Sequence, residues 1–462
     1  MPQNSLSHHI RILIYMRFGI WVETMHNDPS LDTTRRGFLG LAAGGLALGA
    51  AIPPAAAQSV RTSARIVILG AGAGGASIAN RLMRRLDGAT ITIVDGSDQH
   101  WYQPGFTLIA SGLKSARYAI SGTGDWLPDG IEWVRENAAA IDPEANRVVT
   151  EGGERIDYDY LIVATGLTLD WGAVEGFDLD MVGRNGIGAV YAGPDYAEAT
   201  WRAMDAFTDA GGRGVFFRPP TEMKCAGAPI KYTFLTDDYL RRKGTRTDSQ
   251  LTYVNHSQAL FGVPVITEKV ELLMRDKDVE VHRHHRIKGV DAERRELHFE
   301  TDDGDARFEY DFTNIIPPQR APEAVRQSGL SWEDRWQDQG WIEVDMHTLR
   351  HRRFPNVFGI GDINGVPKGK TAASVKFHVP VVEDHLVAEL EGREGSASFD
   401  GYTSCPLITR VGRAMLVEFD YEDNLVPSFP GVIAPLEELW ISWLMKEIAL
   451  KPTYNAMLRG RA

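Results

Sequence analysis

The chain has 462 residues, 43% hydrophobic and 24% charged, which is enough to bury the cores of two or three globular domains. Its 49 Lys and Arg face 62 Asp and Glu, a net charge of −13 with no long basic run. That excludes an ordinary nucleic-acid binder, because phosphate neutralisation needs clustered cations; with only Cys225 and Cys405, a disulfide scaffold is excluded as well.

The first 24 residues precede a second candidate start, Met25. Arg35-Arg36 followed by Phe38-Leu39 resembles a twin-arginine export motif. The apolar stretch from Gly37 to Ile52 is shorter than the roughly 20 residues needed to span a bilayer. Ala55–Ala57 suits signal peptidase. The expectation is a leader over 1–57 and a periplasmic mature protein at the face of the inner membrane. Because the twin-arginine route carries folded proteins, it also hints at a cofactor.

Arg65–Leu69 is a short apolar strand, and Gly70-Ala-Gly72-Ala-Gly-Gly75 follows at once. A helix is expected over Ala76–Leu86 and a second strand over Ala89–Val94, ending in Asp95. This is the strand–GxGxxG–helix–strand–acid layout of a Rossmann unit. Gly70 allows the tight turn, Gly72 lets the backbone approach a pyrophosphate, and Gly75 lets helix and strand pack closely. The helix N-terminus attracts phosphate, and Asp95 would accept from ribose hydroxyls. Tyr158–Val163 reads as a strand running into Ala164-Thr165-Gly166, and Phe354–Ile360 as another ending in Gly361-Asp362. Both segments resemble motifs of flavoproteins with two dinucleotide domains. That resemblance implies FAD rather than NAD, with Asp362 holding the ribityl chain.

A second α/β unit starts near Gly214–Phe217, but its strand leads into Arg218-Pro219-Pro220 and then Lys224-Cys225, not into a second glycine loop. Proline donates no backbone hydrogen bond, so the phosphate cradle is missing and NAD(P)H is not expected. Cys225 then stands at a strand-to-helix junction, where the helix end and Lys224 favour a thiolate. Strands are expected at Leu251–Asn255 and Val279–Arg283, and a β-ribbon over Arg295–Phe312. His282-Arg283-His284-His285 alternates along a strand beside arginine, so no metal is expected there. Pro435–Leu450 reads as an amphipathic helix with Leu436, Leu439, Trp440, Trp443, Leu444 and Ile448 on one face, suited to a membrane interface.

His100–Gly112, with Gln103 and Pro104, Lys224–Pro229, Lys370–Ala373 and Gly401–Leu407 together resemble the sulfide:quinone oxidoreductases, closest to the mitochondrial-type branch, from about Arg65 to Arg459. The resemblance implies an α/β fold of two Rossmann-like domains with a C-terminal helical cap. The boundaries are a FAD-binding domain over 64–185 and 331–400, a second Rossmann-like domain over 186–330 and a cap over 401–462. It implies FAD as cofactor, a sulfur donor, a quinone acceptor, Cys225 as redox cysteine and Lys370 beside the flavin as a catalytic cation. It also implies cofactor contacts at Gly70, Gly72, Gly75, Asp95, Gln103, Pro104, Thr165, Gly166, Gly361 and Asp362. In the family, sulfide attacks a disulfide of two redox cysteines. The second is expected directly after Gly-Asp, where this chain has Ile363, and Cys405 matches a further cysteine. On that reading the two-cysteine cycle cannot run unless Cys405 moves in; otherwise Cys225 works alone with an external acceptor, or the chain takes another donor or a cytochrome acceptor, or it is a flavoprotein without turnover.

Overall fold

The computed structural model describes residues 59–462. The expected leader and its twin-arginine motif lie outside the described residues. The described chain begins with β1 (Arg65–Leu69), α1 (Ala73–Arg85), β2 (Thr90–Val94), β3 (Glu132–Val134) and β4 (Tyr160–Val163). It continues with β5 (Ile187–Gly188), α2 (Pro194–Ala210), β6 (Gly212–Phe217), α3 (Ala228–Lys243), β7 (Ser249–Val254), α4 (Pro264–Asp276), β8 (Val279–His282) and β9 (Phe312–Asn314). It closes with β10 (Val357–Gly359), α5 (Ala372–Leu390), β11 (Thr403–Arg410), β12 (Arg413–Phe419), α6 (Trp440–Leu444) and α7 (Leu450–Leu458).

Two five-stranded sheets result. The first has the order β10-β4-β1-β2-β3 and the second β5-β9-β6-β7-β8, with every pairing parallel. Parallel strands covered on both faces need near-continuous apolar runs, and Ile66–Leu69 and Val215–Phe217 supply them. Strand order reverses at β1 and at β6, so the crevices beyond those strand ends are where such sheets bind ligands. One hydrophobic cluster runs through both sheets, from Ile66 and Ile162 to Phe216 and Tyr253.

Helix α1 starts at Ala73, three residues before the sequence suggests, because Gly74 and Gly75 form its first turn. A Cβ at Gly75 would sit 1.7 Å from the Gly70 carbonyl oxygen, so the close approach of helix to loop requires glycine there. The hairpin β11–β12 packs on α3, which is itself packed against the second sheet. Helix α3 is therefore buried along most of its length.

The expected amphipathic helix over Pro435–Leu450 is corrected. Helix begins only at Trp440, passes through a π-helical turn at Met445–Ala449 and continues to Leu458. The reason is tertiary. Leu439 pairs with Ala414 at the hairpin, and Trp443 is buried against Leu108, Leu235 and Ile408, so the apolar face is spent largely on the core. Ile448 remains 58% exposed. Among the described residues, no helix is long and apolar enough to cross a membrane.

Candidate active site

A cavity of about 500 Å³ opens beyond the β1 end and runs to the loop before α3 and the hairpin. It is lined at one end by Gly70, Gly72 and Asp95, in the middle by Thr165, Gly166, Gly361 and Asp362, and at the other end by Cys225. Gln103, Pro104 and Lys370 also line it. Of the residues expected from sequence only Gly75 lies behind the wall, in its packing role.

The glycine end suits an extended dinucleotide. Helix α1 has no side-chain cap and no acid in its first turn, so its N–H groups face the cavity unopposed. A Cβ at Gly72 would meet nothing within 4 Å, which leaves the space a pyrophosphate needs. The Asp95 carboxylate accepts from the backbone N–H of Ala71 at 2.6 Å and of Ser97 at 2.8 Å, holding the loop shut around that space. The buried Thr165 hydroxyl has no partner among the described residues. These are features that a bound flavin dinucleotide would complete.

Lys370 is buried, and its ammonium donates to the carbonyl oxygens of Asp362 at 2.6 Å and Asn364 at 2.9 Å, 3.8 Å above the Trp341 ring. It braces the Gly361–Asp362 loop, and burial pushes it down to about 8. Its own carbonyl accepts from the Cys225 backbone N–H at 3.0 Å, so one lysine ties the cofactor loop to the cysteine. Desolvation in turn raises the Asp362 carboxyl.

Cys225 has a left-handed backbone, φ 50°, a strained conformation for a side chain with a Cβ and one that is concentrated at functional sites. Its carbonyl accepts from Ala228 N–H at 2.8 Å and from the Tyr191 hydroxyl at 3.1 Å, which hold the bend. The Cys405 thiol lies beside the Cys225 thiol, its sulfur 2.7 Å from where a Cβ on Gly227 would sit. That proximity, with the charge of Lys231 behind it, holds Cys225 well below the ordinary thiol range and against its burial. The same proximity and burial push Cys405 up. Lys231 Nζ donates to Cys225 Sγ at 3.4 Å. Burial alone would lower Lys231, but the two sulfurs reverse this and raise it.

Two sequence expectations change here. The electrostatic help foreseen from Lys224 comes chiefly from Lys231, one turn into α3. The second concerns Cys405, which lines the same cavity as Cys225. Ile363, on which that reading turned, is fully buried among Leu330, Trp341 and Val366, away from the cavity, whereas β11 carries Cys405 into the cavity lining. Sequence reasoning also missed Lys446, which is buried in the π-helical turn, lines the cavity and donates to the Pro104 carbonyl. Burial, then the nearby Lys231 charge, pushes Lys446 down to about 8. A lysine inside the apolar run Ile230–Leu235 was a legible signal for Lys231, whereas Lys446 gave none.

This fold and site define a flavin-binding oxidoreductase of the pyridine nucleotide-disulphide oxidoreductase type, and the model of that family matches residues 64–189. The chain is 34% identical over 403 residues to the mitochondrial sulfide:quinone oxidoreductase of Mus musculus, covering 86% of each. It is 32% identical over 406 residues to that of Dictyostelium discoideum, covering 87% of this chain and 88% of the relative. It belongs to the sulfide:quinone oxidoreductase family. The solved sulfide:quinone oxidoreductase of Aquifex aeolicus shares the fold, with a TM-score of 0.72 at 20% identity over 86% of this chain and 92% of that one. Both relatives compared by sequence are mitochondrial proteins, and this overturns the expectation of a periplasmic protein exported by the twin-arginine route.

Proposed function

We propose that the chain is an FAD-dependent sulfide:quinone oxidoreductase whose redox pair is Cys225 and Cys405. The observation that carries this reading is the pair itself: Cys225, with the Lys231 ammonium 3.4 Å from its sulfur, and Cys405, whose sulfur lies against Gly227, line the cavity that also holds the glycine loop and Gly361–Asp362. Gly70–Gly74 and the α1 N-terminus would hold the pyrophosphate of FAD, Asp95 the ribose, and Asp362 with Lys370 behind it the ribityl side.

In the oxidised state the pair is a disulfide. Hydrosulfide attacks the Cys405 sulfur, the S–S bond breaks, Cys405 becomes a persulfide and Cys225 leaves as thiolate. The direction follows from the electrostatics, because the thiol with the lower pKa is the better leaving group. Lys231 stabilises the departing thiolate, and Lys446 adds positive potential that draws an anionic sulfur species in. Bound FAD supplies the two-electron relay from the cysteines to the quinone. The apolar wall of Phe377, Leu416 and Phe429 suits an uncharged quinone ring. Val432 and Ile448, 64% and 58% exposed, support peripheral contact with a bilayer from which quinone enters.

Arg218-Pro219-Pro220 follows β6 in place of a phosphate loop, so NAD(P)H is not a donor on this reading. Anaerobic stopped-flow absorbance is the test. Sulfide bleaches the flavin rapidly, a soluble quinone restores the colour, and NADH does neither. Rapid bleaching by NADH, or none by any sulfur donor, refutes the reading.

A further inference from the structure

We propose that Ser428, Glu418 and Tyr402 form a proton route from the surface into the cavity, feeding quinone reduction. The proposal rests on the quinone half of the function above. Oxidising hydrosulfide to a cysteine-held zero-valent sulfur releases two electrons and one proton. Reducing a quinone to its quinol consumes two electrons and two protons. One proton per turnover must therefore reach the cavity from outside.

Three carboxylates line that cavity among the described residues: Asp95, Asp362 and Glu418. Asp95 is committed to the N–H groups of Ala71 and Ser97, and Asp362 stands at the cofactor loop. Glu418 has no part in either task. It sits on β12 opposite Ser404, the neighbour of Cys405, and is 2% exposed. Burying a carboxylate is costly unless hydrogen bonds compensate. Here it accepts from the Ser428 backbone N–H at 2.7 Å, the Ser428 hydroxyl at 2.6 Å and the Tyr402 hydroxyl. The Tyr402 and Ser428 hydroxyls lie 3.1 Å apart, closing a continuous hydrogen-bonded triangle.

The three groups all line the cavity and differ in exposure. Tyr402 is buried, lines the cavity and packs with its ring centroid 4.5 Å from that of Phe377, on the apolar wall assigned to the quinone. Ser428 is half-buried in a loop whose Pro430 is exposed. Glu418 joins the two. A serine hydroxyl, a carboxylate and a phenol in contact can each accept one proton while releasing another, so a proton passes from half-buried Ser428 to buried Tyr402 along them. Tyr402 is the group that meets the quinone, and Glu418 is a relay acting through it.

The test uses the holoenzyme reduced anaerobically with dithionite and mixed with decylubiquinone, so the quinone half is read without sulfide. Glu418→Gln and Tyr402→Phe each slow re-oxidation roughly tenfold or more. Their quinone KM stays unchanged and the solvent deuterium isotope effect is larger. Acetic acid restores Glu418→Gln, and Glu418→Asp retains part of the rate. A pH-indicator dye reports proton uptake slowed in step, and the carboxyl band that changes in infrared difference spectra on flavin reduction is missing from Glu418→Gln. Wild-type re-oxidation in both variants, equal slowing of sulfide bleaching and re-oxidation without rescue by weak acid, or a wild type that quinone does not re-oxidise, each overturns the proposal. A wild type that sulfide fails to bleach but quinone re-oxidises refutes the donor reading and leaves the route standing.

Discussion

Lys231 Nζ lies 3.4 Å from the Cys225 sulfur, on the first turn of the helix that Cys225 precedes. At that range a buried ion pair is worth about 4 kcal/mol at an effective dielectric of 20. The N-terminus of α3 adds to it. Replacing Lys231 by Met removes the larger contribution. The Cys225 thiol then titrates at least about one pH unit higher by ultraviolet thiolate absorbance, and sulfide bleaching at neutral pH slows more than about tenfold. An unchanged titration would show that Cys405 alone sets the thiolate.

The second sulfur is tested by paired variants. Cys225→Ser and Cys405→Ser each abolish sulfide bleaching while the purified protein stays yellow. Adding Ile363→Cys to Cys405→Ser restores nothing, because that side chain faces the Leu330–Trp341 core, and it destabilises by roughly 1–3 kcal/mol in urea unfolding. Recovered bleaching in the double variant would return Ile363 to the site.

The glycine loop separates folding from binding. Gly75→Ala drives a methyl group into the Gly70 carbonyl, and a shift of backbone there costs roughly 1–3 kcal/mol, seen as a lowered Tm and poor flavin content. Gly72→Ala meets nothing within 4 Å among the described residues, so the apoprotein melts at the wild-type temperature while flavin retention on gel filtration falls. Normal flavin content in Gly72→Ala would mean that the pyrophosphate lies elsewhere.

Acid should loosen the first domain before it protonates most carboxylates. Burial pushes His351 down to about 4 and His378 to about 3, from an ordinary 6.5. In the unfolded chain both take up protons below 6.5, while the folded forms stay neutral. The stability this supplies is complete above pH 6.5 and is lost as pH falls through 6.5 towards 4 and 3, at up to about 1.4 kcal/mol per pH unit for each ring. His378 Nδ1 accepts the Gly361 N–H at 3.1 Å, so flavin release should accompany the loss. Urea midpoints at pH 7, 6, 5 and 4 check this, and His351→Asn should flatten the slope. A midpoint constant from pH 7 to 4 would contradict it.

Much of the architecture was readable along the chain because it is local. Arg65–Leu69, the glycine spacing and Asp95 lie within about 30 residues, and strand, turn and helix there follow from apolar runs and from glycines that sterics demand. The same holds for Gly361-Asp362 at the end of β10. The reading of Pro435–Leu450 was weaker because helical periodicity does not say whether an apolar face meets lipid or core, and Trp443 meets core.

What the amino-acid order alone determined is the nucleotide-binding frame and the loss of a second phosphate loop, since both depend on which residues follow one another. Only the folded chain decided the chemistry at the far end of the cavity. Cys225 and Cys405 are 180 residues apart in the numbering, and no spacing rule joins them; packing of the β11–β12 hairpin on α3 does. That packing turns Lys231 inward, while Ile363, adjacent to a cofactor motif in sequence, lies in the turn after β10 and is buried with Leu330 and Trp341 instead.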